Sequence, residues 1–152
     1  MSTRAAWARA TGVLGIVVGL DQLTKRLASD SIAIGEERAV FPAVQLVHVR
    51  NQGVAFGAFA GGHTVVLGVI GVALAGLVIY FVTHVRRPLL WLPTGLLVGG
   101  AAGNIVDRAR DGAVTDFIKL PLWPAFNVAD LAITIGVLAL LYVVEGERQR
   151  ED

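Results

Sequence analysis

Hydrophobic residues in this chain fall into long uncharged blocks, with polar residues gathered in the gaps. The clearest block, residues 64–82, is long enough to cross a bilayer core as a helix. His84, Arg86, Arg87 and Pro88 end it, and a second uncharged block, 89–106, follows at once, so the two are expected to form an antiparallel helical hairpin closed by Asp107 and Arg108. Residues 131–144 are apolar but short, and reach spanning length if 126–130 form the first turn of the same helix. The first apolar core, 10–20, is shorter still, with Arg4 and Arg9 before it and Asp21 after it. It has the form of a secretory leader, yet no small-x-small cleavage site follows Leu20, and a helix over 5–28 spans if Arg9, Lys25 and Arg26 snorkel to the interfaces. The pattern predicts four crossings, at about 5–28, 64–82, 89–106 and 126–144.

Four crossings place both termini on one side and leave two segments, 29–63 and 107–125, on the other. The raw count of Lys and Arg does not decide the orientation, but the tight Arg86–Arg87 turn favours cytoplasmic termini. In the first outer segment Val44 to Val49 is β-branched and partly alternating, with Gly53 and Gly57 at turn or bulge positions. Gly112 followed by Val114, Thr115, Asp116, Phe117 and Ile118 reads as a turn and a short strand, and Pro121 and Pro124 keep a helix from running through to Asp130. The expected fold is a membrane all-α domain, 1–152, of four transmembrane helices with a small extracytoplasmic β element.

Composition supports a membrane protein. Apolar residues make up 55% and charged residues 16%, against about 45–50% and about 25% in soluble domains, which also excludes disorder. A net charge of +1 provides no field for a polyphosphate backbone, so nucleic acid is not an expected partner. Cysteine is absent, which removes disulfides, thiolate nucleophiles and sulfur-ligated metals. His48, His63 and His84 are scattered without H-x-x-x-H spacing, predicting solvated or interfacial side chains and no metal site. The 18 glycines form neither a G-x-x-x-x-G-K nor a G-x-G-x-x-G motif. Gly95, Gly99 and Gly103, and likewise Gly15 and Gly19, recur every four residues and predict small faces for close helix packing.

Ionisable groups beside spanning segments are costly unless partnered, which makes the few present here candidates for function. Asp21, Asn104, Asp107, Arg108, Asp116, Asn127 and Asp130 all fall near one end of the four expected helices, implying a shared polar layer. Asn104 and Arg108 lie four apart and Asn127 and Asp130 three apart, each pair on one helix face. If the segment bearing Asp116 folds over that layer, two carboxylates meet, the arrangement in which close acids share one proton. Blander readings remain open at this point: Asn127 as a helix N-cap with Asp130 in its first turn, Asp21 and Lys25 as a surface ion pair, and Asp107 beside Arg108 as an interfacial anchor. A proton-coupled transporter also uses intramembrane acids, but it calls for midplane placement and internal repeats, and neither is visible. A structural membrane adaptor would use none of these acids.

Five blocks in register carry a resemblance. Asp21-Gln22-Leu23-Thr24-Lys25, Asn51-Gln52-Gly53-Val54-Ala55-Phe56-Gly57, Gly103-Asn104-Ile105-Val106-Asp107-Arg108, Val114-Thr115-Asp116-Phe117-Ile118 and Phe126-Asn127-Val128-Ala129-Asp130 together resemble the lipoprotein signal peptidase (signal peptidase II) family, the membrane aspartyl proteases of bacterial lipoprotein maturation. The resemblance implies cleavage of a lipidated prolipoprotein before its diacylglyceryl-bearing cysteine, with Asp116 and Asp130 as the catalytic pair and no cofactor or metal. It implies that Asn104, Arg108 and Asn127 surround the pair, and that Asp21, Lys25, Asn51 and Gly53 bind substrate or support the site, with 54–59 resting on the membrane surface. It further implies a multi-pass protein of the bacterial inner membrane, its site facing outward, working among membrane lipids; one helix bundle with its own site makes a monomer the simpler expectation. The tails and residues 30–43 carry nothing diagnostic.

Overall fold

The computed structural model describes residues 1–52 and 62–151. Gly53 and the stretch 54–59 lie outside the described residues. In chain order the elements are α1 (Thr3–Ser31), β1 (Glu37–Phe41), β2 (Val44–Asn51), α2 (Gly62–Thr83), α3 (Trp91–Asp111), β3 (Val114–Lys119) and α4 (Val128–Glu151). One helix overlaps each apolar stretch expected from the sequence, with its ends displaced, and two of these displacements bear on the site. Asp107 and Arg108 do not close α3, which continues to Asp111 and stops where Gly112 takes the left-handed conformation (φ 70) and its N–H reaches the Arg108 carbonyl. Nor does Phe126 open α4. It returns along β3, exchanging backbone hydrogen bonds with Ile118, and the helix begins two residues later.

Helix α3 packs between α1 and α4, and its glycines make that approach possible. A Cβ at Gly95 would lie 2.7 Å from the Ala10 carbonyl oxygen, one at Gly99 3.0 Å from Val17 Cβ, and one at Gly100 2.5 Å from the Ala129 carbonyl oxygen. The second small face behaves otherwise. At Gly15 and Gly19 an added Cβ meets nothing within 4 Å, so among the described residues these glycines do not mediate packing; α1 meets α3 through Ala10, Val13, Leu14 and Val17 instead.

Burial is inverted relative to a soluble protein. On α1, Val17, Asp21, Lys25 and Ala28 are buried at helical spacing, while Ile16, Leu20, Leu23 and Leu27 are exposed. On α4, Leu131, Ile135, Leu138 and Leu141 are exposed as a continuous stripe. Water penalises such a surface, at about 25 cal/mol per Å² of apolar area, and a lipid surround does not. Among the described residues, one helix segment, Val128–Gly146, is long and apolar enough to cross a membrane by length and composition, and Gly68–Thr83 is a shorter apolar run.

At the end of the bundle away from the polar layer, Ala6, Ala10, Phe81, Leu90 and Val143 form the buried apolar cluster. Trp7 meets Phe81 edge-on and Arg9 lies over the Trp91 ring. At the polar end sits an antiparallel sheet of order β1-β2-β3. Strands β2 and β3 arise where β-branched residues were read in the sequence; β1 lies in the stretch that carried no signal. In register, Val49 pairs with Asp116 and Asn51 with Val114, which brings Asn51 beside the Asp116 strand.

Candidate active site

The N-terminus of α4 organises the polar layer. Asn127 is its N-cap: Asn127 Oδ1 accepts from the Asp130 backbone N–H at 3.0 Å, and Asp130 Oδ2 accepts from the Asn127 N–H at 3.2 Å. This reciprocal box satisfies two donors that a helix start leaves orphaned. A third, the Ala129 N–H, donates to Asp21 Oδ1 at 3.0 Å. The bland reading of Asn127 and Asp130 as capping residues is therefore correct, and it does not exclude the other one. The Asn127 side-chain nitrogen is left over by the cap and donates to Asp116 Oδ1 at 2.7 Å.

One fully buried asparagine thus joins the two aspartates. Asp116 comes from the edge strand β3 and is 2% exposed; its second oxygen accepts from Asn51 Nδ2 at 2.9 Å. Asp130 is half-buried, and its Oδ1 accepts from Asn104 Nδ2 at 2.8 Å. Burial pushes the Asp116 carboxyl from an ordinary 3.8 up to about 6, with the charge of nearby Asp130 adding to the rise against the pull of the Asn51 and Asn127 amides and Lys25. An acid held near neutrality beside a second carboxylate is suited to exchanging protons.

Behind this pair lies a charged cluster. Lys25 is 3% exposed, and Nζ donates to Asp21 Oδ2 at 2.7 Å, Asp107 Oδ2 at 2.9 Å and Asn104 Oδ1 at 3.0 Å. All three ammonium donors are satisfied. Because Asn104 Oδ1 accepts from both Lys25 and Asn127 Nδ2, the Asn104 amide has only one orientation, with its NH₂ aimed at Asp130. Asp21 and Lys25 are accordingly no surface pair. A Cβ at Gly103 would stand 2.5 Å from Asp21 Oδ2, so glycine is required there for the cluster to close.

Of the residues expected in the site, Asp21, Lys25, Asn51, Asn104, Asn127, Asp116 and Asp130 converge. Arg108 approaches differently: its guanidinium donates to the Asn104 backbone carbonyl at 3.3 Å and pairs with neither carboxylate among the described residues. Two residues of the cluster were missed. Gln22 donates to Asp107 Oδ1 at 2.7 Å, and Asp107, read as an interfacial anchor, is 1% exposed and bonded to Lys25, Gln22 and the Thr115 N–H. The available signal was the three-residue interval from Asn104 to Asp107, which puts them on one helix face; adjacency to Arg108 obscured it. His48 is not solvated either, since Nδ1 donates to the Ile32 carbonyl at 2.9 Å in a buried position. His84 is half-buried and stacks on Tyr80, and the side chain of His63 lies outside the described residues. Among the described residues, no group of three or more His, Asp or Glu side chains is placed to hold a metal ion.

Comparison with known proteins identifies the family. The family model for signal peptidase (SPase) II matches residues 13–144. The chain is 36% identical to the lipoprotein signal peptidase of Halothermothrix orenii over 90% of its own length and 95% of the relative's. It is 40% identical to that of Moorella thermoacetica over 90% and 94%. Two solved bacterial membrane enzymes share the fold: one determined in meso at 1.9 Å, 30% identical with a TM-score of 0.81 over 89% of this chain and 91% of that one, and one at 2.3 Å, 29% identical with a TM-score of 0.82 over 94% and 91%. A family model spanning nearly the whole helical core and relatives matched almost end to end lead to one conclusion: the chain belongs to the signal peptidase II family.

Proposed function

We propose that the protein is an intramembrane aspartyl endopeptidase, removing the signal peptide of diacylglyceryl-modified prolipoproteins by cleavage before the lipidated cysteine. The observation that carries this reading is the meeting of Asp116 and Asp130, from different elements, on the two sides of Asn127. The substrate class follows the relatives named lipoprotein signal peptidases. One carboxylate takes a proton from water as the water oxygen bonds to the scissile carbonyl carbon, while the other, protonated, donates to the carbonyl oxygen. When the tetrahedral intermediate collapses the roles exchange: the C–N bond breaks, the amine leaves with a proton, and a carboxylate recovers one from the gem-diol. Asn51, Asn104 and Asn127 orient the carboxylates, Arg108 lies at the rim, and Asp21 and Lys25 hold the helix ends; the family resemblance gives Gly53 a substrate-binding or supporting role. The chemistry calls on no metal or cofactor.

The same reading makes 1–152 one membrane domain in the bacterial inner membrane, with four crossings, cytoplasmic termini and the β element on the extracytoplasmic face. Support comes from the exposed apolar stripes on α1 and α4 and the polar layer at one end of the bundle. The substrate enters from the lipid phase, and one bundle holds every site group among the described residues, so the working unit is a monomer. A gel-shift assay with purified protein and a diacylglyceryl-modified prolipoprotein tests the proposal. Wild type should cleave, and folded Asp116→Asn and Asp130→Asn should not; near wild-type turnover by either variant refutes the dyad. Intact substrate, with proton flux in reconstituted vesicles that is lost in Asp130→Asn, would favour a transporter instead.

A further inference from the structure

Asp107 has no part in the chemistry proposed above, yet it is among the most thoroughly bonded side chains near the dyad. It is 1% exposed on α3. Its Oδ1 accepts from Gln22 Nε2 on α1 at 2.7 Å, and its Oδ2 accepts from Lys25 Nζ on α1 at 2.9 Å and from the backbone N–H of Thr115 on β3 at 3.2 Å. Arg110 stands 3.9 Å from Oδ1. One carboxylate therefore ties three elements together.

The Thr115 contact matters most. Strand β3 is an edge strand, paired on one side with β2. The N–H of Thr115 points away from that partner, a donor that edge strands leave open, and Asp107 supplies the acceptor. Thr115 directly precedes Asp116, so fixing this peptide group fixes where the Asp116 carboxyl sits. The second oxygen contact runs through Lys25, which also holds Asn104 Oδ1 and so the amide that faces Asp130. Asp107 thereby reaches both carboxylates of the dyad from outside.

We infer that Asp107 is a positioning residue of this site: its carboxylate clamps β3 to α1 and α3, holding Asp116 at a fixed place relative to Asp130 without contacting substrate. The inference rests on the peptidase reading above. Misplacing a reacting group by about 1 Å costs on the order of 10²-fold in rate, and the loss falls on turnover because the residue does not bind substrate.

The test compares full-length wild type, Asp107→Ala, Asp107→Asn and Asp116→Asn in kcat and KM for a diacylglyceryl-modified prolipoprotein, with hydrogen exchange at the Thr115 amide. Asp107→Ala should lower kcat about 10²-fold with KM within about threefold, and Thr115 should exchange faster while mid-α3 amides stay protected. Asp107→Asn, which keeps one acceptor oxygen, should fall between. Wild-type kcat in folded Asp107→Ala, or a lost kcat with unchanged Thr115 exchange, overturns the inference while inactive Asp116→Asn leaves the peptidase reading standing. If Asp107→Ala does not fold, Asp107→Asn carries the test, and failure of that near-isosteric variant to fold also overturns a positioning role. If wild type leaves the substrate intact, or Asp116→Asn cleaves it, the peptidase reading falls and the inference with it.

Discussion

Replacing Asp116 by Asn should change not only activity but the pH dependence of stability. In the folded protein the Asp116 carboxyl titrates near 6 in place of an ordinary 3.8. The folded state thus keeps its proton where the unfolded state has lost it, so this group's contribution to stability is greatest below about pH 4 and falls as pH rises from about 4 to 6. At about 1.4 kcal/mol per pH unit, the cost of ionised Asp116 reaches about 3 kcal/mol. Asparagine carries no such cost, but its NH₂ must face one of two donors, Asn51 or Asn127, and a buried unsatisfied donor costs about 1–3 kcal/mol. That penalty does not vary with pH. Asp116→Asn should therefore be less stable than wild type at pH 4 and close to it, or above it, at pH 7. The assay is thermal unfolding of both proteins in the same detergent from pH 4 to 8. At about 2–4 °C per kcal/mol for a chain of this size, the difference in Tm should swing by about 6–12 °C. A difference that stays flat across this range would refute the claim that burial holds the Asp116 proton.

Other substitutions divide along the same lines. Gly103→Ala puts a methyl against the Asp21 carboxylate and should destabilise by about 1–3 kcal/mol while impairing cleavage, whereas Gly19→Ala, with nothing within 4 Å, should leave Tm unchanged or slightly raised; thermal unfolding compares them. Asn104→Ala removes the donor to Asp130 and should slow turnover about 10²–10³-fold without abolishing it, measured as kcat in the gel-shift assay. Asn127→Ala loses the cap and the Asp116 donor together, so it should cost about 1 kcal/mol or more in stability and depress kcat further than Asn104→Ala.

Much of this protein was legible in its sequence because the signals are local. Uncharged blocks mark the helices, since a helix satisfies its own backbone hydrogen bonds wherever the surround provides none. β-branched runs at 44–49 and 114–118 mark β2 and β3, and the spacings Asn127 to Asp130 and Asp21 to Lys25 mark shared helix faces. Strand β1 was not legible, because residues 37–41 are all exposed and an edge strand with no buried face carries no burial pattern. The Gly15 and Gly19 face was misread for a related reason: small residues permit close approach but do not say which face receives the partner.

What the sequence determined by itself was the four helices and strands β2 and β3, the polar residues available and their grouping toward one end, all consequences of local hydrophobicity and of helical and strand periods. What only the tertiary structure decided was which of those residues meet and through which atoms. Asp116 and Asp130 are brought together because one asparagine caps a helix with its oxygen and donates to a neighbouring strand with its nitrogen. Asp107 became a buried clamp and not an interfacial anchor because α3 runs on past it and turns its carboxylate toward α1 and β3. Such assignments depend on directions of hydrogen-bond donors across elements far apart in the chain, and these exist only once the helices have packed.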